Sequence, residues 1–198
     1  MRSVLNVAVI GVGAFMARQH LPNILRNKRY RLHTLCDRDE AVLQARTREF
    51  QPAKATRRAE DVFNDPEVDA VFVGTRSRQH ARFIIQSLEH AKHVFVEKPM
   101  TMTWAETRLV LEAARRSPCS VGVGFNRRFA PIMVEARQLF RRHRSGPAHV
   151  IYRIVDDHAV RPEYIFRMDD GGGHLLQEGC HVFDLLSWLL EEEPVEVY

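Results

Sequence analysis

Short apolar segments alternate with longer helix-like segments through the first 124 residues, and this alternation restricts the possible folds. The apolar segments predict strands at 4–10, 30–36, 68–74, 93–96 and 119–124; the others predict helices at 15–26, 39–50, 59–63, 78–89 and 104–115. Strands that alternate with helices form βαβ units, which build a parallel sheet with helices on both faces. The sequence therefore predicts an α/β domain with a doubly wound parallel sheet.

The alternation stops after Gly124. Residues 126–131 lead into a predicted helix that ends at about Arg144. The residues after it predict a strand at 149–155, a loop at 156–170, a helix at 175–190 and a further strand beginning at Pro194. We therefore place a domain boundary near Phe125, with residues 1–124 as one domain and 125–198 as the start of an incomplete α+β domain.

Composition excludes several classes of protein. Hydrophobic residues make up 45% and charged residues 27%, as in globular domains. No apolar run approaches the roughly 18 residues of a membrane span, and the amino terminus enters a strand without a signal peptide. The three dispersed cysteines are typical of buried, reduced thiols. We therefore expect a cytoplasmic protein that does not associate with a membrane. The basic run 141–144 is typical of a solvated helix end, and we expect no nucleic-acid partner.

A glycine turn lies between the first predicted strand and helix. Gly11 permits a tight turn, and Gly13 allows the backbone to approach a pyrophosphate at the helix amino end, with Ala14 and Phe15 alongside. Met16 stands where the fingerprint of a dinucleotide site has its third glycine. Helix and strand must therefore pack further apart, or Ala17 supplies the small side chain. A glycine-rich turn without a ligand is the alternative.

Asp37 ends the second predicted strand, near the spacing of a ribose-binding acid. A carboxylate there accepts hydrogen bonds from the ribose hydroxyls of NAD and repels the 2′-phosphate of NADP. Arg38 could bind that phosphate instead. The sequence thus favours NAD, with NADP as the alternative. Asp37 could also be only a turn residue or a helix cap.

The tripeptide Glu97-Lys98-Pro99 follows the apolar run 93–96, so the lysine lies at the carboxyl end of a predicted strand, where open α/β sheets bind ligands. Downstream, three glycines at 171–173 precede a helix that carries His181. With these motifs in this order, the chain resembles the Gfo/Idh/MocA oxidoreductases, which couple a nicotinamide cofactor to sugars, polyols or related substrates. The resemblance covers all 198 residues. It implies a dinucleotide-binding Rossmann domain, followed by the start of a substrate and oligomerisation domain that looks truncated.

The resemblance implies roles for five residues. Three follow strands of the first domain, and two follow the end of that domain. Lys98 would polarise or deprotonate the substrate hydroxyl, with Glu97 beside the cofactor and a cis Lys98–Pro99 bond. Thr75 would border the cofactor, and Asn126 and Arg127 would lie near cofactor and substrate. Each has a structural alternative: a surface lysine before a helix-starting proline, a helix cap at Thr75, and a surface arginine.

The glycine-rich loop and its helix match the family with one departure. Gln177 stands where the commonest version has an aspartate, four residues before His181, and glutamine cannot carry a proton. The sequence Glu178-Gly179-Cys180-His181 resembles a subgroup of the family, so Gln177, Glu178, His181 and Lys98 are the candidate substrate residues. The resemblance implies His181 as general base, because histidine exchanges protons near neutral pH. A core histidine bonded to Asp184, on the same helical face, is the alternative.

A metal site at this helix is a further interpretation. It would use His174, Glu178, Cys180 and His181, but no CxxC pair supports it, and adjacent helical residues point about 100° apart. We therefore expect no metal.

We predict an NAD(P)-dependent oxidoreductase that transfers hydride between a nicotinamide and a hydroxyl or keto group of a sugar, cyclitol or related small molecule. Two alternatives remain: an NAD-dependent glycosidase-type relative, and a non-catalytic dinucleotide sensor or partner-binding protein. A homo-oligomer is expected for the full-length protein.

Overall fold

A computed structural model describes residues 3–155 and 162–196. The chain divides into two compact units, Met1–Gly124 and Phe125–Tyr198. Among the described residues, no helix combines the length and the apolar character needed to cross a membrane.

The first unit contains a six-stranded sheet in which all neighbouring strands are parallel. The strands are β1 (Leu5–Ile10), β2 (Tyr30–Cys36), β3 (Lys54–Thr56), β4 (Ala70–Val73), β5 (His93–Val96) and β6 (Val121–Val123). Their order is β3-β2-β1-β4-β5-β6. The chain therefore proceeds outward from β1 in both directions, which confirms the doubly wound α/β prediction.

Helices connect successive strands of this sheet. They are α1 (Leu21–Arg26), preceded by a π-helical turn (Met16–His20), α2 (Glu40–Phe50), α3 (Ala59–Phe63), α4 (His80–Glu89), preceded by a 3₁₀ turn (Ser77–Gln79), and α5 (Trp104–Arg116). The sequence predicted all five α-helices to within a few residues, but it did not predict the π-helical turn.

Apolar side chains cover both faces of the sheet. Along β1, Val7 and Val9 belong to one buried cluster with residues of α1 and α2, while Ala8 and Ile10 belong to a second cluster with residues of α3, α4 and α5. Successive residues of a strand point to opposite faces, so a strand buried on both sides is continuously apolar. This burial explains why the apolar runs predicted β1, β2, β4 and β5.

The second unit is mainly helical where the structure describes it. It contains a 3₁₀ turn (Arg127–Phe129), α6 (Pro131–His143), a second 3₁₀ turn (Glu163–Phe166), a π-helical turn (Leu175–Gly179) and α7 (Cys180–Leu190). The guanidinium of Arg137 on α6 lies 4.4 Å from the ring centre of Trp188 on α7 and also pairs with Glu191. These contacts pack α6 against α7.

The strand predicted at 149–155 is wrong. These residues have no regular secondary structure, and Ile151 and Val155 are each 81% exposed. A strand is stable only when a neighbour supplies backbone hydrogen bonds, and the described part of this unit contains no other strand. Residues 194–196 are likewise irregular. The loop predicted at 156–170 lies partly outside the described residues, as does the end of the last predicted strand.

None of the three cysteines forms a disulfide. Cys36 is buried, and burial, with the nearby Asp37, Asp61 and Glu60 carboxylates, raises the pKa of its thiol to about 12. Cys119 and Cys180 are only half-buried. The prediction of buried thiols therefore holds for Cys36 alone.

Candidate functional site

The candidate residues of the first unit follow the carboxyl ends of four adjacent strands. The glycine turn follows β1, Asp37 follows β2, Thr75 follows β4 and Glu97 follows β5. Because all the strands are parallel, these ends lie along one edge of the sheet. The edge includes the point where connections from β1 and β4 diverge, which is where doubly wound sheets bind ligands.

The two glycines of the turn have different surroundings. Gly11 has φ +83°, its N–H donates to the Cys36 carbonyl at 2.8 Å, and an added Cβ would lie 2.8 Å from Thr75. Nothing lies within 4 Å of the position that a Cβ would occupy on Gly13. Gly11 therefore makes the turn possible, and Gly13 leaves open space at the amino end of the helix, which is the cradle that a pyrophosphate requires.

Met16 packs where the fingerprint has its third glycine. It is 1% exposed, and an added Cβ on Gly74 would overlap its side chain. The absence of a side chain at Gly74, at the end of β4, thus makes room for the methionine. Ala17 is also buried, and Ala14 and Phe15 are exposed at the start of the helix.

Asp37 fixes the glycine turn from β2. Its Oδ2 accepts a hydrogen bond from the Val12 N–H at 2.9 Å, and its Oδ1 accepts one from the Asp39 N–H at 3.0 Å. Each carboxylate oxygen has two lone pairs, so capacity remains for a ribose hydroxyl. The cap of α2 is Asp39, which accepts from the Val42 N–H, and not Asp37.

Arg38 is exposed beside this carboxylate. Its carbonyl accepts a hydrogen bond from Arg57 Nε at 3.2 Å. The Arg57 guanidinium also pairs with Glu40 at 3.3 Å. Arg38 follows Asp37 directly and is exposed, so it remains the alternative partner for a 2′-phosphate.

Thr75 lies between β4 and the helix that follows. Neither the 3₁₀ turn nor α4 has a side-chain cap, and the residues at their cap positions are Arg76 and Gln79. The interpretation of Thr75 as a helix cap is therefore wrong. The Thr75 methyl group instead lies against Gly11.

The Glu97-Lys98-Pro99 segment follows β5. Its Lys98–Pro99 bond is cis, as the resemblance implied. Oε1 of Glu97 lies 2.6 Å from Nε2 of His20, and Oε2 of Glu97 accepts a hydrogen bond from the backbone N–H of Lys98 at 3.2 Å. Lys98 itself is half-buried. The lysine thus belongs to a segment whose backbone is fixed by hydrogen bonds.

His80 joins two of these loops. The ring is 1% exposed, with Nδ1 2.8 Å from the Pro99 carbonyl and Nε2 3.0 Å from the Thr75 carbonyl. Burial lowers the pKa of His80, although both carbonyls and the Glu97 and Glu106 carboxylates oppose that effect. A neutral ring has one N–H, so it donates to one of the two carbonyls at a time.

The sequence did not identify His20, and it placed His80 only within a segment, Ser77 to His80, that could line the cofactor. His20 and Glu97 are 77 residues apart, and His80 and Pro99 are 19 apart. A histidine within an apolar helix face carries no signal of such a partner. The predicted convergence of strand ends was the only feature that could have pointed to them.

In the second unit, two candidate residues, Arg127 and Glu178, form an ion pair. Arg127 donates to Glu178 at 2.7 Å and to the hydroxyl of Tyr152 at 2.8 Å. Glu178 is 6% exposed. Asn126 precedes Arg127 at the start of the 3₁₀ turn. Arg127 and Glu178 thus neutralise each other within this unit, and Arg127 is not an isolated surface arginine.

Gln177 and His181 are buried within this unit, and the side chain of Asp184 is 7% exposed. The Gln177 amide donates to the Gly171 carbonyl and so holds the glycine-rich loop against the helix. Both oxygens of Asp184 accept from the Arg128 guanidinium, at 2.9 Å for Nε to Oδ2. The His181 ring lies 5.9 Å from the ring of Phe125. Gln177 belongs to the π-helical turn, so the expected α-helical spacing does not apply across it.

Within residues 3–155 and 162–196, the one group at metal-ligand spacing is His33, Asp65 and Glu67. The Lys54 ammonium lies 2.8 Å from Asp65 and 3.2 Å from Glu67, and so takes the place of a cation. The helix residues considered for a metal site do not form such a group in the described part of the chain.

Comparison with known proteins agrees with this geometry. Residues 5–125 match the family described as "Oxidoreductase family, NAD-binding Rossmann fold". The chain is 27% identical over 96% of its length to "Uncharacterized oxidoreductase YrbE" of Bacillus subtilis, covering 55% of that protein. It is 27% identical over 98% of its length to "Myo-inositol 2-dehydrogenase" of Thermotoga maritima, covering 57% of that protein.

Solved structures show the same fold. The crystal structure of an oxidoreductase domain protein from Kribbella flavida superimposes with a TM-score of 0.84 and 25% identity, covering 97% of this chain and 54% of that one. The chain thus spans about half the length of the relatives that it matches. With a family match over residues 5–125 and a parallel sheet of the same architecture, the chain belongs to the oxidoreductase family with an NAD-binding Rossmann fold.

Proposed function

We propose that this chain carries the cofactor-binding part of an NAD(P)-dependent dehydrogenase that acts on a cyclitol, a sugar or a related small molecule. One observation carries the proposal: the open cradle at Gly13 and the anchored Lys98 segment lie at one edge of one parallel sheet. The similarity to a myo-inositol 2-dehydrogenase supports a substrate that bears vicinal hydroxyl groups.

The residues of this edge fit a dinucleotide. The open space at Gly13 and the first N–H groups of the helix fit a pyrophosphate, and Asp37 accepts hydrogen bonds from ribose hydroxyls. Asp37 favours NAD, with NADP as the alternative through Arg38. When bound, the nicotinamide supplies hydride acceptance and donation.

The residues of the chain bind and orient the substrate and exchange a proton with it. Lys98 binds the reacting oxygen and either polarises it or takes its proton. The role of His181 as general base, which the family resemblance implies, stays a prediction. Gln177 contributes hydrogen bonds to the glycine-rich loop and carries no proton. The roles of Asn126 and Arg127 toward the cofactor stay predictions, as do self-association and a cytoplasmic location.

The test replaces Lys98 by methionine and measures NAD⁺ reduction with a panel of polyols and inositols. We expect a loss of turnover of about 10²- to 10⁴-fold, the usual contribution of a positioned proton-transfer group, with NADH affinity preserved. Lys28→Met, at an exposed lysine, is the matched control. Unchanged turnover in Lys98→Met would remove the role of Lys98. NADH binding without turnover of any polyol by the unmodified chain would favour the non-catalytic sensor.

A further inference from the structure

We propose that His20 is a positioning residue, which fixes the backbone at Lys98 through the Glu97 carboxylate and connects it to the glycine turn. The effect of His20 on turnover rests on the proposed function of Lys98. The effect of His20 on the position of the Lys98 backbone does not depend on that function. It adds a residue to the site that neither the sequence pattern nor the family match assigns.

The Glu97 carboxylate connects His20 to Lys98, because each of its two oxygens contacts one of these residues. Oε1 lies 2.6 Å from His20 Nε2, and Oε2 accepts the Lys98 N–H at 3.2 Å. The His20 and Glu97 side chains are only 18% and 13% exposed, so solvent competes weakly for the bond. Loss of the His20 contact would let the carboxylate rotate and would release the Lys98 amide.

The surrounding residues are shaped for this bridge. An added Cβ on Gly124 would lie 2.9 to 3.3 Å from atoms of the Glu97 carboxyl group, so a glycine there makes room for it. The His20 ring packs against Phe95 and Phe15, with ring centres 5.2 and 5.7 Å away. Packing of this kind fixes the ring orientation and directs Nε2 toward Glu97.

His20 also belongs to the helix whose amino end is the glycine turn. It is the last residue of the π-helical turn Met16–His20, which begins three residues after Gly13. Turns of this type carry one extra residue and are frequent at functional sites. A movement of this turn on dinucleotide binding would therefore reach Lys98 through one side chain and one carboxylate.

The far end of the segment is fixed independently. Pro99 is held by His80, which is buried and belongs to α4. Lys98 is thus the residue between two anchors, and the His20 anchor is the one that responds to the glycine turn.

Two substitutions separate hydrogen bonding from packing. His20→Phe keeps an aromatic ring among Phe15 and Phe95 but removes the donor, whereas His20→Gln keeps an amide donor toward Glu97. His90→Phe is the matched control, because His90 is an exposed histidine at the end of α4, near the opposite edge of the sheet.

The first readout is the nuclear magnetic resonance spectrum of isotope-labelled lysine side chains. The chain has only four lysines, at positions 28, 54, 92 and 98, so each signal can be assigned by substitution. We expect His20→Phe to shift or broaden the Lys98 signal and to leave the Lys28 signal unchanged. His20→Gln should restore the Lys98 signal, and His90→Phe should not affect it.

The second readout is turnover. We expect His20→Phe to lower kcat by about 10- to 100-fold with little change in KM, as expected for a small displacement of a reacting group, and His20→Gln to recover most of it. A Lys98 signal identical in His20→Phe and the unmodified chain would overturn the inference, whatever the turnover. A shifted Lys98 signal in a chain without turnover would leave the inference standing and count against the proposed function instead.

Discussion

Individual residues of the glycine turn make separable contributions, and the structure predicts opposite consequences for two substitutions. Gly13→Val places a side chain in open space, so the free energy of unfolding should change by less than about 1 kcal/mol, as for most surface substitutions. The same side chain fills the pyrophosphate cradle, so NADH should bind at least about tenfold more weakly, which corresponds to 1.4 kcal/mol. Chemical unfolding and a fluorescence titration measure the two effects.

Gly11→Ala is the contrasting variant. At φ +83°, and with Thr75 at 2.8 Å from the added Cβ, alanine should destabilise the unit by about 1–3 kcal/mol. Equal stability of the two variants would contradict the different roles assigned to Gly11 and Gly13.

The sequence predicted those candidate residues whose positions follow from a local pattern. Gly11 and Asp37 were predicted because a turn residue and an acid at a strand end have a characteristic spacing. Lys98 was predicted because it follows the end of a strand. The contacts of His20 and His80 were not predicted, because they form only when distant segments are brought together by the sheet.

Packing between β4 and the helix that follows the glycine turn depends on Gly74 and Met16. Gly74→Ala should destabilise the chain by about 1–3 kcal/mol, because the added methyl group overlaps the buried Met16 side chain. Met16→Ala removes that overlap, so the double variant should be more stable than the sum of the two single changes predicts, with a coupling of about 0.5–3 kcal/mol. A double-mutant cycle of chemical unfolding measures this coupling. Strict additivity would show that the two side chains do not share the space.

Strands could be predicted from the sequence where burial requires a run of apolar residues, and they were missed where the strand is exposed. β1 and β4 are buried on both faces and read as apolar runs. β3 (Lys54–Thr56) has three residues, two of them exposed, at the edge of the sheet, so its sequence carries no apolar signal. Residues 149–155 carry the signal but lack a pairing strand among the described residues, which is why the predicted strand is absent there.

The whole first unit has a charge network at the amino edge of its sheet, opposite the candidate site. Asp65 accepts from the Lys54 ammonium at 2.8 Å and contacts the ring of His33 at 3.2 Å, and buried Lys92 donates to the Asp65 carbonyl at 2.6 Å. Burial raises the pKa of the Asp65 carboxyl, but Lys54, the Glu67 N–H and His33 outweigh it and hold that pKa at about 2.

This network predicts sensitivity to acid. The Asp65 carboxyl titrates at about 2 in the folded chain and near its ordinary 3.8 when unfolded, so its stabilisation is present above pH 3.8 and is lost as the pH falls toward 2. Urea unfolding across this range should show a steeper loss of stability for the unmodified chain than for Lys54→Met. Parallel pH profiles would contradict the assignment.

The proposed function requires this chain to bind a nicotinamide dinucleotide at the carboxyl edge of its sheet. The most direct measurement is a titration of the purified, folded chain with NADH and then NADPH, followed by nicotinamide fluorescence. We expect saturable binding of NADH, weaker binding of NADPH because of Asp37, and at least about tenfold weaker binding of both in Gly13→Val. A folded chain that binds neither dinucleotide would contradict it.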